Sequence, residues 1–221
     1  AQDSFGVRMR AGYEVVQDNG QKIEFGEVRN ILLSRPYHLR VVEVASHGDR
    51  DLMLFDGRTI TMFDGETGLF AQAPQPGDID DTIVHFVRDL KMRMPLAPML
   101  MQRFADELQR RIQSIEYVEY TSINGVPAHH IAARTETVDF QAWIADSDQP
   151  LPVRVVLNYP HQKGHPQFWA NLSRWNPSPY MDEQTFRFDP PPNSRPIAFA
   201  AHFEPAAESS EPVEFGAKGG K

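Results

Sequence analysis

Cysteine is wholly absent from the 221 residues. That removes disulfides, cysteine–zinc sites and thiol nucleophiles together. It suits the periplasm, where stray thiols pair, although many cytoplasmic chains also lack the residue. No apolar run is long enough to cross a bilayer as a helix. Positive charge is in short supply: 22 Lys and Arg stand against 30 Asp and Glu, a formal net charge of −8. Such a chain lacks the general attraction to phosphate that dominates nucleic-acid binding, so nucleic acid is not expected as a partner. There is no G-x-S-x-G, H-E-x-x-H, P-loop or G-x-G-x-x-G, and no repeat at solenoid or propeller period. No signal peptide opens the chain. Ala1-Gln2-Asp3 reads as a mature terminus left by cleavage at small residues, and equally as an arbitrary boundary.

What is present is turn chemistry and alternation. Eighteen prolines favour many turns over long helices, and the length suits one large β-rich domain. In VRMRAGYEVV, Val7, Met9, Ala11, Tyr13 and Val15 alternate with Arg8, Arg10, Gly12 and Glu14, the period of a half-buried strand. Asn19-Gly20 is a strong hairpin signal, and KIEFGEVRNILL returns as the next strand, with Gly26 as a candidate bulge. RPYHLRVVEVAS reads as a third strand with Pro36 at its start. The stretch from Asp51 to Ala73 reads as a meander of three short strands turning at Asp56-Gly57 and Asp64–Gly68. From Ile115 strands resume, with tight links at Asn124-Gly125, Thr135–Thr137, DSDQPLP and PHQKGHP. Short strands joined by hairpin turns predict one large, curved antiparallel sheet. MDEQTFRFDPPPNSRPIAF reads as a helical turn followed by edge pieces.

Between the two strand regions the pattern becomes helical. Ile83, Phe86, Val87 and Leu90 fall on one stripe, behind an acidic start in which Asp78 or Asp80 can cap. A second helical stretch, RMPLAPMLMQRFADELQRRIQ, is interrupted by Pro95 and Pro98. Met92, Met94, Met99 and Met101 make up half of the eight methionines. Methionine is flexible and polarisable, suited to an adaptable apolar surface or, more plainly, to irregular core filling.

Candidate chemistry is sparse. His129 and His130 are neighbours on a predicted strand, so they point to opposite faces and do not serve one site. One is expected to face inward with Ala128 and Ala132, the other outward with Ile131. His161 and His165 share a loop but lack an evident third ligand, so no metal is expected. Asp78, Asp80 and Asp81 are accounted for by a helix start, and Asp139 has no identifiable acidic partner for hydrolysis. The apolar parities carry more. Phe140, Ala142 and Ile144 share a face, as do Val153, Val155 and Leu157, and then Phe168, Ala170 and Leu172. Trp143, Trp169 and Trp175 lie on the opposite parities, so the sheet is expected to be covered in part on both sides.

The stretches YEVVQDNGQKIEFGEVRNILLSRPYHLRV, FDGRTITMFD, PGDIDDTI, PLAPML, INGVPAHHIAARTETVDFQAWIADSDQPLPVRVVLNY and FRFDPPPNS resemble, in the same order, a bacterial family of predicted periplasmic proteins of unknown function grouped with the outer-membrane lipoprotein carrier (LolA-like) fold. The resemblance runs from about Tyr13 to Ile197 and is most specific from Asn124 to Tyr159. It implies an α+β fold: a strongly curved antiparallel sheet, a half-barrel, covered by helices from the middle of the chain. It also implies an apolar interior of the kind related carriers use for acyl chains. Relatives begin with a helix, whereas here only Ala1 to Phe5 precede the first strand.

The combined expectation is a single LolA-like domain over residues 1–203 and a Pro/Glu/Ala/Gly-rich tail over 204–221. Its function is expected to be that of a periplasmic, non-enzymatic binder of a lipid or lipoprotein acyl chain, without cofactor or metal. Phe140, Ile144, Val155, Leu157 and Phe168 of the sheet, with Phe86, Met99 and Met101 of the helical segment, are the expected ligand-binding residues. Hydrophobic ligands or lipidated proteins are the expected partners. The alternative is an accessory or structural subunit of an envelope complex, its tail touching a protein partner. A hydrolase needs a nucleophile or paired carboxylates in a cleft.

Overall fold

Alternation at period two runs through most of the chain, and the computed structural model, which describes residues 2–45, 47–89, 92 and 94–199, turns it into strands. Six come first: β1 (Ser4–Val16), β2 (Lys22–Ser34), β3 (His38–Ala45), β4 (Arg50–Phe55), β5 (Thr59–Asp64) and β6 (Leu69–Pro74). Five more, β7 (Ser114–Ile123), β8 (Val126–Arg134), β9 (Asp139–Ala145), β10 (Pro152–Asn158) and β11 (Gln167–Asn176), follow the helical middle, and β12 (Arg195–Ile197) ends the series. All twelve join one curved, unclosed sheet in the order β12-β6-β5-β4-β3-β2-β1-β11-β10-β9-β8-β7. Every pairing is antiparallel except β12 with β6. The first strand meets the eleventh, so the two strand regions become one surface.

The helical middle is shorter than its apolar stripe suggests. Helix α1 (Ile79–Val84) passes into a π-helical turn over His85–Asp89. A 3-10 turn over Ala97–Leu100 and helix α2 (Phe104–Arg111) follow. Asp78 caps α1 through a capping box: its carboxylate accepts from Asp81 N at 3.0 Å, and Asp81 returns the bond to Asp78 N at 3.3 Å. Asp80 does different work. It is buried, and it accepts from the amides of Gln102 and Arg103 at 2.7 and 3.2 Å, tying the start of α1 to the start of α2. Leu90 and the 204–221 tail lie outside the described residues.

One main core joins these parts. Ile79, Ile83, Phe86, Val87, Ala97, Leu100 and Met101 share a buried cluster with Phe5, Val7, Met9, Leu33, Leu39, Phe55, Ile60, Val155 and Phe168 of the sheet. The sheet face that carries this cluster is called the inner face below.

Four expectations need correction. Gly26 makes no bulge: β1 and β2 pair without interruption through Gly12 and Gly26. Pro36 precedes β3 rather than opening it, since the strand begins at His38. Val153 leaves the inner face because register shifts between Pro152 and Arg154, and it packs with Ala128, Ala145 and Trp143 instead. Trp175 moves the other way. The β1–β11 register slips beside it, Arg174 takes φ +54°, and Trp175 turns inward against Phe5 at 5.4 Å. A bulge inserts one residue and reverses parity beyond it.

Candidate functional site

The inner face can be followed row by row, because antiparallel pairing sets one residue opposite the next. Phe140, Leu157, Phe168, Tyr13 and Phe25 lie in register across β9, β10, β11, β1 and β2. At one end of this row Tyr13 and Phe25 stack at 5.7 Å while remaining 40% and 43% exposed. Val15 and Ile23 extend the exposed apolar strip toward the hairpin tip. The next row inward consists of small side chains, Ala142, Val155, Ala170 and Ala11, all buried, and it reaches Glu27 on β2. Beyond it the face passes into the packed core.

The eight residues expected to bind a ligand divide by burial. Phe86, Met101, Val155 and Phe168 are buried in the main core cluster. Ile144, Leu157 and Met99 are half-buried against it. Phe140 is half-buried at the end of the aromatic row. Met92 and Met94 also pack against the cluster, so all four grouped methionines meet there.

Charged residues enter the inner face at one place that parity alone does not single out. On β2 the inward series is Ile23, Phe25, Glu27, Arg29, Ile31, Leu33, and the two charges interrupt an apolar stripe. Arg29 donates from Nε to Glu43 Oε2 at 2.9 Å. Its Nη2 stands 2.9 Å from Glu27 Oε1 as an ion pair, out of line for a hydrogen bond, so that buried oxygen has none. Burial pushes the Glu27 carboxyl up to about 7; Arg29 opposes the shift and Glu43 reinforces it. Burial, with Glu27 and then Glu43 adding to it, also raises the Tyr13 phenol. The signal is present in the sequence as a charged pair within an inward-facing apolar alternation.

The adjacent histidines do separate. His130 is buried on the outer face, stacked on Trp143 at 4.0 Å and 11°, with Nε2 3.0 Å from Gln141 Oε1. Arg154 lies 5.6 Å from the ring centres of both Trp143 and Trp169, and Trp169 in turn covers Gly12. His129 shares the face of Ile131, on the side of the main core, yet its side chain is 46% exposed, so the buried histidine is the one that lies with Ala128, as expected. His129 sits among Tyr117, Tyr120 and Asp146, its Nε2 3.6 Å from Asp146 Oδ1. The hydrogen bond from Tyr120 to Asp146 raises the Tyr120 phenol. His161 points to the Glu136 carbonyl at 2.9 Å. Among the described residues, His47, Asp49 and Glu66 bring their ligand atoms within 4.8 Å of one another at exposed turns.

On the outer face, Met181–Phe188 lies over β3–β6. Phe186 lies tilted against His38 at 4.9 Å, and Phe188 meets Phe63 and Phe70. A groove of about 980 Å³ lies between this segment and the strands, lined by Leu54, Thr61, Gln72, Phe186 and Arg187 among others. None of the eight expected ligand residues lines it.

A family model described as "Predicted periplasmic protein (DUF2092)" matches residues 1–200. A search of curated proteins gives no match. Among solved structures, an uncharacterized conserved protein of Thermus thermophilus superposes with a TM-score of 0.48 at 9% identity, over 87% of this chain and 90% of that one. The Mycobacterium tuberculosis lipoprotein LppX gives 0.47 at 13% identity, over 82% and 91%. A LolA superfamily protein of Nitrosomonas europaea gives 0.40 at 12%, over 85% and 91%.

Proposed function

Because the chain belongs to the DUF2092 family of predicted periplasmic proteins, we propose that it is a periplasmic, non-enzymatic protein that binds a lipid or a lipoprotein acyl chain on the inner face of its sheet. The observation that carries this reading is the row Phe140–Leu157–Phe168–Tyr13–Phe25, which runs out of the packed core and ends half exposed. An apolar strip continuous with a core is where added hydrocarbon is removed from water, at about 25 cal/mol per Å² buried. Ile144 and Val155 extend the surface inward. Phe86, Met99 and Met101 belong to the segment that acts as its adaptable cover, since methionine repacks around irregular shapes.

Native mass spectrometry on protein taken from its own host without detergent tests this. A lipid-sized adduct, released on denaturation and recovered by organic extraction, is the expected result. A bare mass from lipid-replete cells counts against it.

A second reading, an accessory subunit in an envelope complex, is favoured by β7. Among the described residues this strand is the last of the sheet and exposes Ile115, Tyr117, Val118 and Tyr120, the kind of surface to which another chain adds a strand. A co-purifying polypeptide in the same spectrum supports that reading.

A further inference from the structure

The small-residue row has a direction. From Ala142 on β9 it crosses Val155, Ala170 and Ala11 and reaches Glu27 on β2, with Ile131 and Ala45 next in register on either side. With neighbouring strands about 4.8 Å apart, four spacings make a floor on the order of 19 Å long, the scale of a long acyl chain. The floor is apolar and reaches a carboxyl. Glu27 is only 8% exposed, and its Oε1 meets the Arg29 guanidinium at 2.9 Å without a hydrogen bond. A buried carboxyl held by an ion pair keeps hydrogen-bonding capacity for a further partner.

The charges around this end limit what the partner can be. Facing Glu27 are Tyr13 from β1, Arg29 from its own strand, Glu43 from β3 and, beyond Glu43, Asp51 from β4. The Arg29 guanidinium already contacts Glu43 and Glu27, each at 2.9 Å. A free fatty acid would bring a further carboxylate to a cation that is already matched. A neutral carbonyl brings no charge, and a protonated carboxyl can donate to it. Burial keeps Glu27 protonated through mildly acidic pH.

We propose that Glu27, held in place by Arg29 and Glu43, is the polar anchor of the site and donates its carboxyl proton to the ester or amide carbonyl of an acyl chain laid along the Ala142–Val155–Ala170–Ala11 row. This rests on the acyl-binding reading above. It adds a selectivity: acyl chains linked through an ester or amide are taken in preference to free fatty acids.

Transfer of tritiated methyl palmitate or tritiated palmitic acid from phosphatidylcholine vesicles to the full chain tests it. At pH 6 the protein should take up the ester roughly tenfold better than the acid. Ester uptake should fall severalfold between pH 6 and pH 8 as Glu27 ionises. Glu27→Gln, which cannot ionise, should flatten that fall, and Glu27→Leu should lower ester uptake at pH 6 by roughly tenfold. Uptake of acid equal to that of ester, or ester uptake indifferent to Glu27→Leu, overturns the anchor and leaves acyl binding standing. If neither lipid leaves the vesicles, the acyl-binding reading fails and the anchor with it. The ester-to-acid comparison needs no variant, so a misfolded mutant does not protect the proposal.

Discussion

Glu27 shows how a single residue can tie stability to pH. Its carboxyl lies near 7 in the folded chain against an ordinary 4.5. A group raised on folding stabilises fully below its unfolded pKa, and that contribution is lost as pH climbs through the folded value. The window is therefore pH 4.5 to 7, and the amount is about 3 kcal/mol. Glu27→Gln should leave stability near that of the wild type at pH 5 and raise it clearly at pH 8, read as unfolding midpoints at the two pH values. Equal differences at both would show that the carboxyl is not held neutral. Gly12 makes a second prediction at this scale. A Cβ there would lie 2.5 Å from Trp169 Cε2, so Gly12→Ala should cost about 1–3 kcal/mol through forced movement of the indole. Denaturant unfolding followed by tryptophan emission checks it. The composition hides both effects. The charged pair on β2 breaks a readable alternation, but only the pairing of β1 with β11 brings Trp169 over Gly12.

At the scale of elements, Asp80 outweighs the cap beside it. Asp78→Ala removes a helix cap, worth about 1 kcal/mol. Asp80→Ala strips a buried carboxylate from the part-buried Gln102 and Arg103 amides, removing two charge-assisted bonds, and should cost more, about 1–3 kcal/mol in all. Hydrogen exchange should rise across 97–111 in the Asp80 variant and stay near wild type in β1 and β2. A uniform rise would deny Asp80 its role as a tie between α1 and α2. Strands are legible because alternation and hairpin turns are local signals. The bulges at Val153 and beside Trp175 are not, because an inserted residue is settled by the partner strand. The π-helical turn after Val84 reads as plain helix for a related reason: its residues keep the same apolar spacing.

Across the whole molecule, the sequence reading and the structure agree on one sheet with a helical middle, and the parities of β9, β10 and β11 place Ala142, Val155 and Phe168 on the core side. What no single strand reveals is that Phe140, Leu157, Phe168, Tyr13 and Phe25 stand in one row, because that requires the register of five strands drawn from both ends of the chain. In the proposed function this row and the small-residue row beside it hold an acyl chain. Photo-crosslinking with a diazirine-bearing palmitoyl ester, followed by peptide mapping, tests it most directly. Label should concentrate on β1, β9, β10 and β11 and on the methionines at 92, 94, 99 and 101. Label confined to the outer groove beside Phe186, or to the β7 edge, would show that the acyl chain does not lie on the inner face.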